Sequence, residues 1–398
     1  QTGRNNMSGL GGRGNIGIDY DITEKDNINA TLSFGKFGMN LDNSITSDQM
    51  LAGILNQHYR RDQTSVNDNL STDINLDYKH KFKKENQELT ISGQYSNNNR
   101  PTHYEISQYN DAEILDYKEF SNNKGTNREI TAQADYSHPF SKKLSLDLGI
   151  KSISRRIESY YVYDTFNLAT NTQIKDEMRS NSFGYLQNVL AGYAEATWAI
   201  TPKFGLKAGV RYEGTTVEGD IFKEVQSLNN NYYNILPSGT FSYKWGSNGL
   251  KLSYNQRLQR PSLFYLNPYS NLADPKNITV GNPKLNAELS HNVEVGYNKF
   301  FGLSSVNIAV YRRFTNNAIE AVRKISGDTI VTTYYNQANN KNTGLNVSGN
   351  LMKGYKFMIG GNFDISYVEV DNNALGINNS GINYGINGFL NWTIYEAW

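Results

Sequence analysis

Along most of this chain, apolar and polar residues alternate with a period of two. Ile16, Ile18, Tyr20 and Ile22 are interleaved with Asn15, Gly17, Asp19 and Asp21. Successive side chains of a strand point to opposite faces, so such a run predicts a strand with one apolar and one polar face. The pattern returns at Ile28, Ala30, Leu32 and Phe34, and at Leu144, Leu146, Leu148 and Ile150. It returns again at Phe204, Leu206, Ala208, Val210 and Tyr212, at Leu250, Leu252 and Tyr254, and at Phe357, Ile359, Phe363 and Ile365. Read from end to end, the chain predicts about fifteen strands. No segment carries a helical period.

A soluble sandwich also alternates apolar-in and polar-out, but three features point to a membrane. Many runs last roughly 9 to 12 residues, enough to cross a bilayer at a tilt, where globular strands average nearer 5 or 6. The connections alternate between two classes. Short turns are predicted near 23–26, 83–86, 139–143, 201–203, 246–249, 301–305 and 352–355. Long polar stretches are predicted as loops near 38–70, 97–127, 158–182, 214–234, 261–286, 314–342 and 369–381. That sorting is the plan of an outer-membrane barrel, with turns in the periplasm and loops outside. Aromatic residues also gather beside the short turns, among them Phe82, Phe140, Trp198, Phe204, Trp245, Phe300, Phe357 and Trp392, as an interfacial girdle requires. The predicted fold is all-β, a transmembrane antiparallel up-and-down barrel.

Composition agrees. Tyr is abundant at 28 and Pro scarce at 8, while charged residues make up 19%, below the roughly 25% of a soluble domain. A net charge of +1 supplies no field for nucleic acid. The absence of Cys excludes a disulfide scaffold and any thiolate metal site. No apolar run reaches the roughly 18 residues of a spanning helix, which says nothing against spanning strands. Bacterial single-chain barrels use an even number of strands. The odd number read here leads us to expect residues 1–398 to be one incomplete barrel domain, cut at both ends, with residues 1–12 in an external loop.

Little in the sequence suggests catalysis. None of the five histidines has a metal-binding spacing. Gly9 to Gly14 is followed by a strand rather than the helix a phosphate-binding loop needs. Asp371-Asn372-Asn373 fails the calcium-loop pattern at Leu375 and Ile382. We predict no catalytic, cofactor or metal site, and no enzyme. Arg60-Arg61 and Arg155-Arg156 read as solvated faces, with ligand or lipopolysaccharide contact as the alternative. With Phe204, Leu206, Ala208, Val210 and Tyr212 toward lipid, the charges between them turn inward. Lys203, Lys207, Arg211, Glu213, Lys251, Arg257 and Glu294 are therefore expected to face the lumen or a plug. Tyr59, Tyr104, Tyr109, Tyr160, Tyr161 and Tyr265 lie in the long stretches and are candidate ligand contacts, since Tyr is a rigid anchor with a polar tip.

Three stretches carry a family likeness. Tyr193-Ala194-Glu195-Ala196 leads through Ile200-Thr201-Pro202-Lys203 to Ala208-Gly209-Val210-Arg211-Tyr212-Glu213. Ser253-Tyr254-Asn255-Gln256-Arg257 runs to Arg260-Pro261-Ser262 and Leu266-Asn267-Pro268. Gly281-Asn282-Pro283-Lys284-Leu285-Asn286-Ala287-Glu288 follows, then Val293-Glu294-Val295-Gly296-Tyr297. This order resembles the TonB-dependent outer-membrane receptors, with Ala287 where the family usually has Pro. The Tyr- and Asn-rich style resembles outer-membrane barrels of Bacteroidetes. The resemblance implies a barrel of roughly 22 strands, an N-terminal plug with a TonB box, and import of a small ligand energised by a TonB-type protein. Neither plug nor box is in these residues. The alternative is a surface binding or adhesion platform without active transport. Either way, the partners expected are outer-membrane lipid and lipopolysaccharide, and the location is the bacterial outer membrane.

Overall fold

A computed structural model describes residues 2–51, 54–177, 179–221, 227–266, 270–271, 277–327, 329–354, 356–372 and 376–393. The strands are β1 (Thr2–Asp21), β2 (Asp26–Leu51), β3 (Ile54–Lys81), β4 (Glu88–Asn110), β5 (Leu115–Pro139), β6 (Leu144–Asn167), β7 (Thr172–Lys175), β8 (Asn181–Ala199) and β9 (Phe204–Ile221). They continue with β10 (Ser227–Trp245), β11 (Asn248–Gln259), β12 (Ser270–Asn271), β13 (Asn277–Val280), β14 (Glu288–Phe301), β15 (Ser304–Ser326), β16 (Thr329–Lys353), β17 (Phe357–Asn372) and β18 (Ile377–Trp392). With β7, β12 and β13 set aside as short side pairings, fifteen long strands remain in one antiparallel meander. The number and order of these strands match the sequence reading. One pairing is parallel: Asn277–Thr279 of β13 lies against Ile330–Thr332 of β16. Among the described residues no pairing joins β1 to β18, so the sheet has two open edges.

The register aligns the apolar positions across the sheet. Leu206 faces Trp198 on one side and Phe241 on the other. Phe241 in turn faces Leu252, Leu252 faces Val295, Val295 faces Val310, and Val310 faces Leu345. Ile18, Leu32, Leu206 and Ile359 are all exposed on this outer face. A row of bare aliphatic and aromatic side chains is costly in water and favourable in lipid. A one-residue slip in any strand would turn its charges into that lipid.

At the short-turn end the rings form contiguous ladders. His80, Phe82, Tyr136, His138 and Phe140 follow one another at centroid distances of 4.6 to 5.9 Å. Phe204, Tyr243, Trp245 and Tyr297 do so at 4.5 to 6.2 Å. The turns repeat one device. Thr23, Ser141 and Thr201 each accept backbone N–H groups two and three residues on through the side-chain hydroxyl, closing the turn locally. At the first turn, hydrogen bonds from His80, Thr23 and Tyr78 hold the Asp26 carboxyl well below the usual carboxylate range. The two-residue turns use glycine instead: Gly246 and Gly302 have φ of 57° and 63°, a left-handed conformation that costs other residues energy.

The long polar stretches are the main correction. Residues 38–70, 97–127 and much of 158–182 are not irregular loops. They are the outer halves of β2 to β6, with β3 alone 28 residues long. Roughly 10 residues suffice to cross the bilayer, so the hairpins project well beyond it. Residues 2–12 likewise belong to β1 and pair with β2, so they are strand rather than external loop. The same holds for most of 214–234, 314–342 and 369–381. Outside lipid the outer face of a strand is wet and its inner face mixes polar with aromatic residues, so no clean apolar period marks it, while the ladder of backbone hydrogen bonds continues. The stretch that departs furthest from regular strand is 260–287, which holds a one-turn helix α1 (Leu263–Leu266) together with β12 and β13.

Candidate functional site

The inner face changes character along its height. Near mid-barrel it carries charge. Lys207 pairs with Glu195 at 2.6 Å, and Arg211 donates to Glu213 at 2.7 and 2.9 Å. Arg260, at the start of the irregular stretch, donates to the other oxygen of Glu213. The Glu213 side chain is only 4% exposed, so its charge is neutralised by two guanidinium groups rather than by water. Tyr193, Glu195, Asp147 and Arg211 line a recess of about 250 Å³ here. Thus Lys207, Arg211 and Glu213 lie inward as predicted and are joined by ion pairs. Lys251 and Arg257 share the inner face opposite Ser242 and Ser290, and Glu294 lies opposite Ser253. Among the described residues these three make no ion pair. Lys203 is instead a turn residue, exposed, whose carbonyl accepts the N–H of Lys244.

Above the charges the inner face becomes aromatic. Ile157, Phe183, Tyr185 and Val217 form a buried cluster with Leu266 and Leu285 from the 260–287 stretch, and Tyr232, Tyr265, Ile319 and Tyr334 pack around it. That stretch therefore folds back onto the inner wall. Within the G-N-P run, the Asn282 N–H donates to the Tyr265 carbonyl at 2.6 Å and its side-chain amide to the Tyr334 carbonyl at 2.8 Å. Leu285 is the apolar anchor. Asn267 and Pro268 lie outside the described residues. A second cluster joins Tyr104, Ile106 and Tyr163, with Tyr161 packed against it. Glu119, fully buried, accepts from the hydroxyls of Tyr117 and Tyr163 and from Arg179 at 3.3 Å. Arg179 also lies over the Tyr163 ring at 3.7 Å. Burial and the Glu119 carboxylate push the Tyr163 phenol far above its ordinary range, so it stays a donor.

The six tyrosines divide between the faces. Tyr104 and Tyr161 meet on the inner wall, hydroxyl to hydroxyl at 2.9 Å. Tyr265 is carried inward by α1 to within 4.4 Å of the Tyr334 ring. Tyr59, next to Arg60 in β3, points to the inner side. Tyr109 is cross-strand partner to Arg60 and lies under its guanidinium at 4.3 Å, on the outer face. Tyr160, adjacent to Tyr161, is necessarily on the outer face too, and is 53% exposed. The sequence reading missed Tyr163, Glu119, Arg179 and Tyr185. The alternation Ile157, Ser159, Tyr161, Tyr163 could have shown the first, because it continues the phase of the inner face below.

At the tip of the β2–β3 hairpin, His58 Nδ1 lies 2.6 Å from Asp48. That hydrogen bond raises the His58 pKa, with Asp111 and Glu113 adding attraction. A raised pKa means that the pairing stabilises the tip at low pH and is lost as pH rises through the folded value. NMR titration of His58 should show a midpoint above about 6.5 that returns toward it in Asp48→Asn. An unshifted midpoint in the unmutated protein would disprove the pairing.

An antiparallel meander with an outward apolar belt, an aromatic girdle at one end and a polar inner wall defines a transmembrane barrel of the bacterial outer membrane. The family model described as "Outer membrane protein beta-barrel family" matches residues 80–398, and the chain belongs to that family. No curated protein sequence matches it. Among solved structures, the copper transporter OprC is similar with a TM-score of 0.59 at 11% identity, over 97% of this chain and 66% of that one. The siderophore receptor PiuA from Acinetobacter baumannii gives 0.57 at 10% identity, over 93% and 64%. The ferripyoverdine receptor of the Pseudomonas aeruginosa outer membrane gives 0.58 at 10% identity, over 96% and 58%. At such identities the likeness is one of fold. The chain spans less than two thirds of the length of these receptors. The likeness to receptor barrels read from the sequence is thereby borne out at the level of fold.

Proposed function

We propose that this chain is the wall of an outer-membrane receptor that imports a small ligand with energy from a TonB-type partner. The observation that carries the reading is the inner wall itself: a charged middle section beneath an aromatic vestibule that the 260–287 stretch partly fills. A simple open pore would leave this wall to water. The charged section, with Lys207, Arg211 and Glu213, suits contact with a plug supplied by the rest of the polypeptide. Tyr59, Tyr104, Tyr161 and Tyr265 suit ligand contact from above. We assign Tyr109 and Tyr160, on the outer face, to contact with lipopolysaccharide or solvent instead. The two open edges are closed, in this reading, by further strands of the same protein, because each unsatisfied backbone group in lipid costs several kcal/mol.

The test is uptake of radiolabelled copper and of ferric siderophores by the native bacterium, with and without the full-length gene. Loss of uptake on deletion, and equal loss when the proton-motive force is collapsed, is the expected result. Uptake unchanged by deletion for every probe would refute transport. It would favour a surface platform, a reading supported by the projecting hairpins of β2 to β6. Shortening 97–127 or 261–286 in the full-length protein should weaken binding. If every shortened, folded form binds normally, recognition lies in the lumen or plug.

A further inference from the structure

Lysines recur at the short-turn end of the barrel. Each of seven short turns joins two long strands at the girdle end. All seven carry an exposed lysine within the turn or within three residues of it: six of them at Lys25, Lys84, Lys142, Lys203, Lys299 and Lys353, and the seventh at Lys244. Among the described residues none of these ammonium groups makes an ion pair. The acids nearby do not balance them. Asp26 is engaged by His80, Tyr78 and Thr23, and Glu88 by Lys79, which leaves chiefly Asp21, Glu24 and Glu85 against at least seven lysines.

We infer that this collar binds the headgroups of anionic phospholipids in the leaflet on the short-turn side. An ammonium donates well to phosphodiester oxygens, and a ring of them is attracted to a leaflet of anionic headgroups. An acidic face on a periplasmic protein would offer the same charge. Two placements favour lipid. Lys299 shares the lipid-facing side of β14 with Tyr297, which lies opposite Leu250. Lys353 is the register partner of Phe357, itself opposite Trp392. Both therefore sit directly below girdle rings, where a long side chain reaches the headgroup layer and a docking protein does not. The inference rests on the outer-membrane placement and is independent of the transport reading.

The experiment uses the full-length protein in phosphatidylcholine vesicles containing spin-labelled lipid, with the motionally restricted fraction read by electron paramagnetic resonance. Spin-labelled phosphatidylglycerol should be preferred over spin-labelled phosphatidylcholine by roughly threefold to tenfold, and the preference should shrink in 1 M salt. Replacing Lys25, Lys84, Lys142, Lys203, Lys299 and Lys353 together by glutamine should at least halve it, while Lys324→Gln, at the far end of β15, should leave it in place. Heat-modifiable gel migration establishes that each variant is folded. No preference in the unmutated protein, or an undiminished preference in the folded six-lysine variant, would overturn the inference.

Discussion

Leu206→Arg should lower the stability of the folded barrel by about 1–2 kcal/mol, because it lies on the lipid face close to the girdle, where a guanidinium costs less than the roughly 2–4 kcal/mol of mid-membrane. Leu206 sits in the outer apolar row between Trp198 and Phe241 and is exposed toward lipid. Its sequence neighbour gives the contrast. Lys207 is on the inner face, half exposed, and paired to a partly exposed Glu195. Lys207→Ala should therefore cost less than about 1 kcal/mol, as exposed ion pairs do. Both values are read from reversible urea unfolding of the full-length protein in a bilayer, followed by tryptophan fluorescence. Equal costs at the two positions would mean that the faces are assigned wrongly.

Glu213→Ala is expected to cost about 3 kcal/mol, near the low end for breaking a buried charge pair. The low end applies because Arg211 and Arg260 keep 28% and 24% side-chain exposure and regain some water. The loss should be local as well as global. Arg260 is where the chain leaves β11 for the 260–287 stretch, so its release should speed protease cleavage within that stretch while the lipid-embedded strands stay protected. Glu213→Ala/Arg260→Ala should cost less than the sum of the two single variants, since the pair is coupled. If cleavage is unchanged in Glu213→Ala, the stretch is held by Leu266 and Leu285 in the aromatic cluster alone.

This role for Glu213 shows where sequence reasoning stopped. Its inward orientation was legible, because Val210 and Tyr212 had to face lipid and a strand alternates strictly. Its partner was not. Arg260 stands 47 residues away, beyond a full hairpin, and no local pattern announces that contact. The same division applies to the tyrosines. Tyr160 and Tyr161 are neighbours in sequence and equivalent by residue type, yet one lies outside and the other meets Tyr104 within the wall.

What the sequence determined by itself was the part of the protein immersed in lipid. There a single face must be apolar, every backbone group must pair, and the turns must be short, so period, length and spacing carry the whole message. The fifteen long strands, the outward row through Leu206 and the girdle end follow from that constraint. Only the tertiary structure decided what lies beyond the membrane. The outer halves of β2 to β6 have water on one side and a mixed polar and aromatic wall on the other, so the backbone can stay in ladders without a clean apolar period on its side chains, and the sequence there looks like loop. The inward fold of 260–287 depends on meeting Ile157, Phe183, Tyr185 and Val217 from three other strands, and such a contact exists only once the sheet has curved around it.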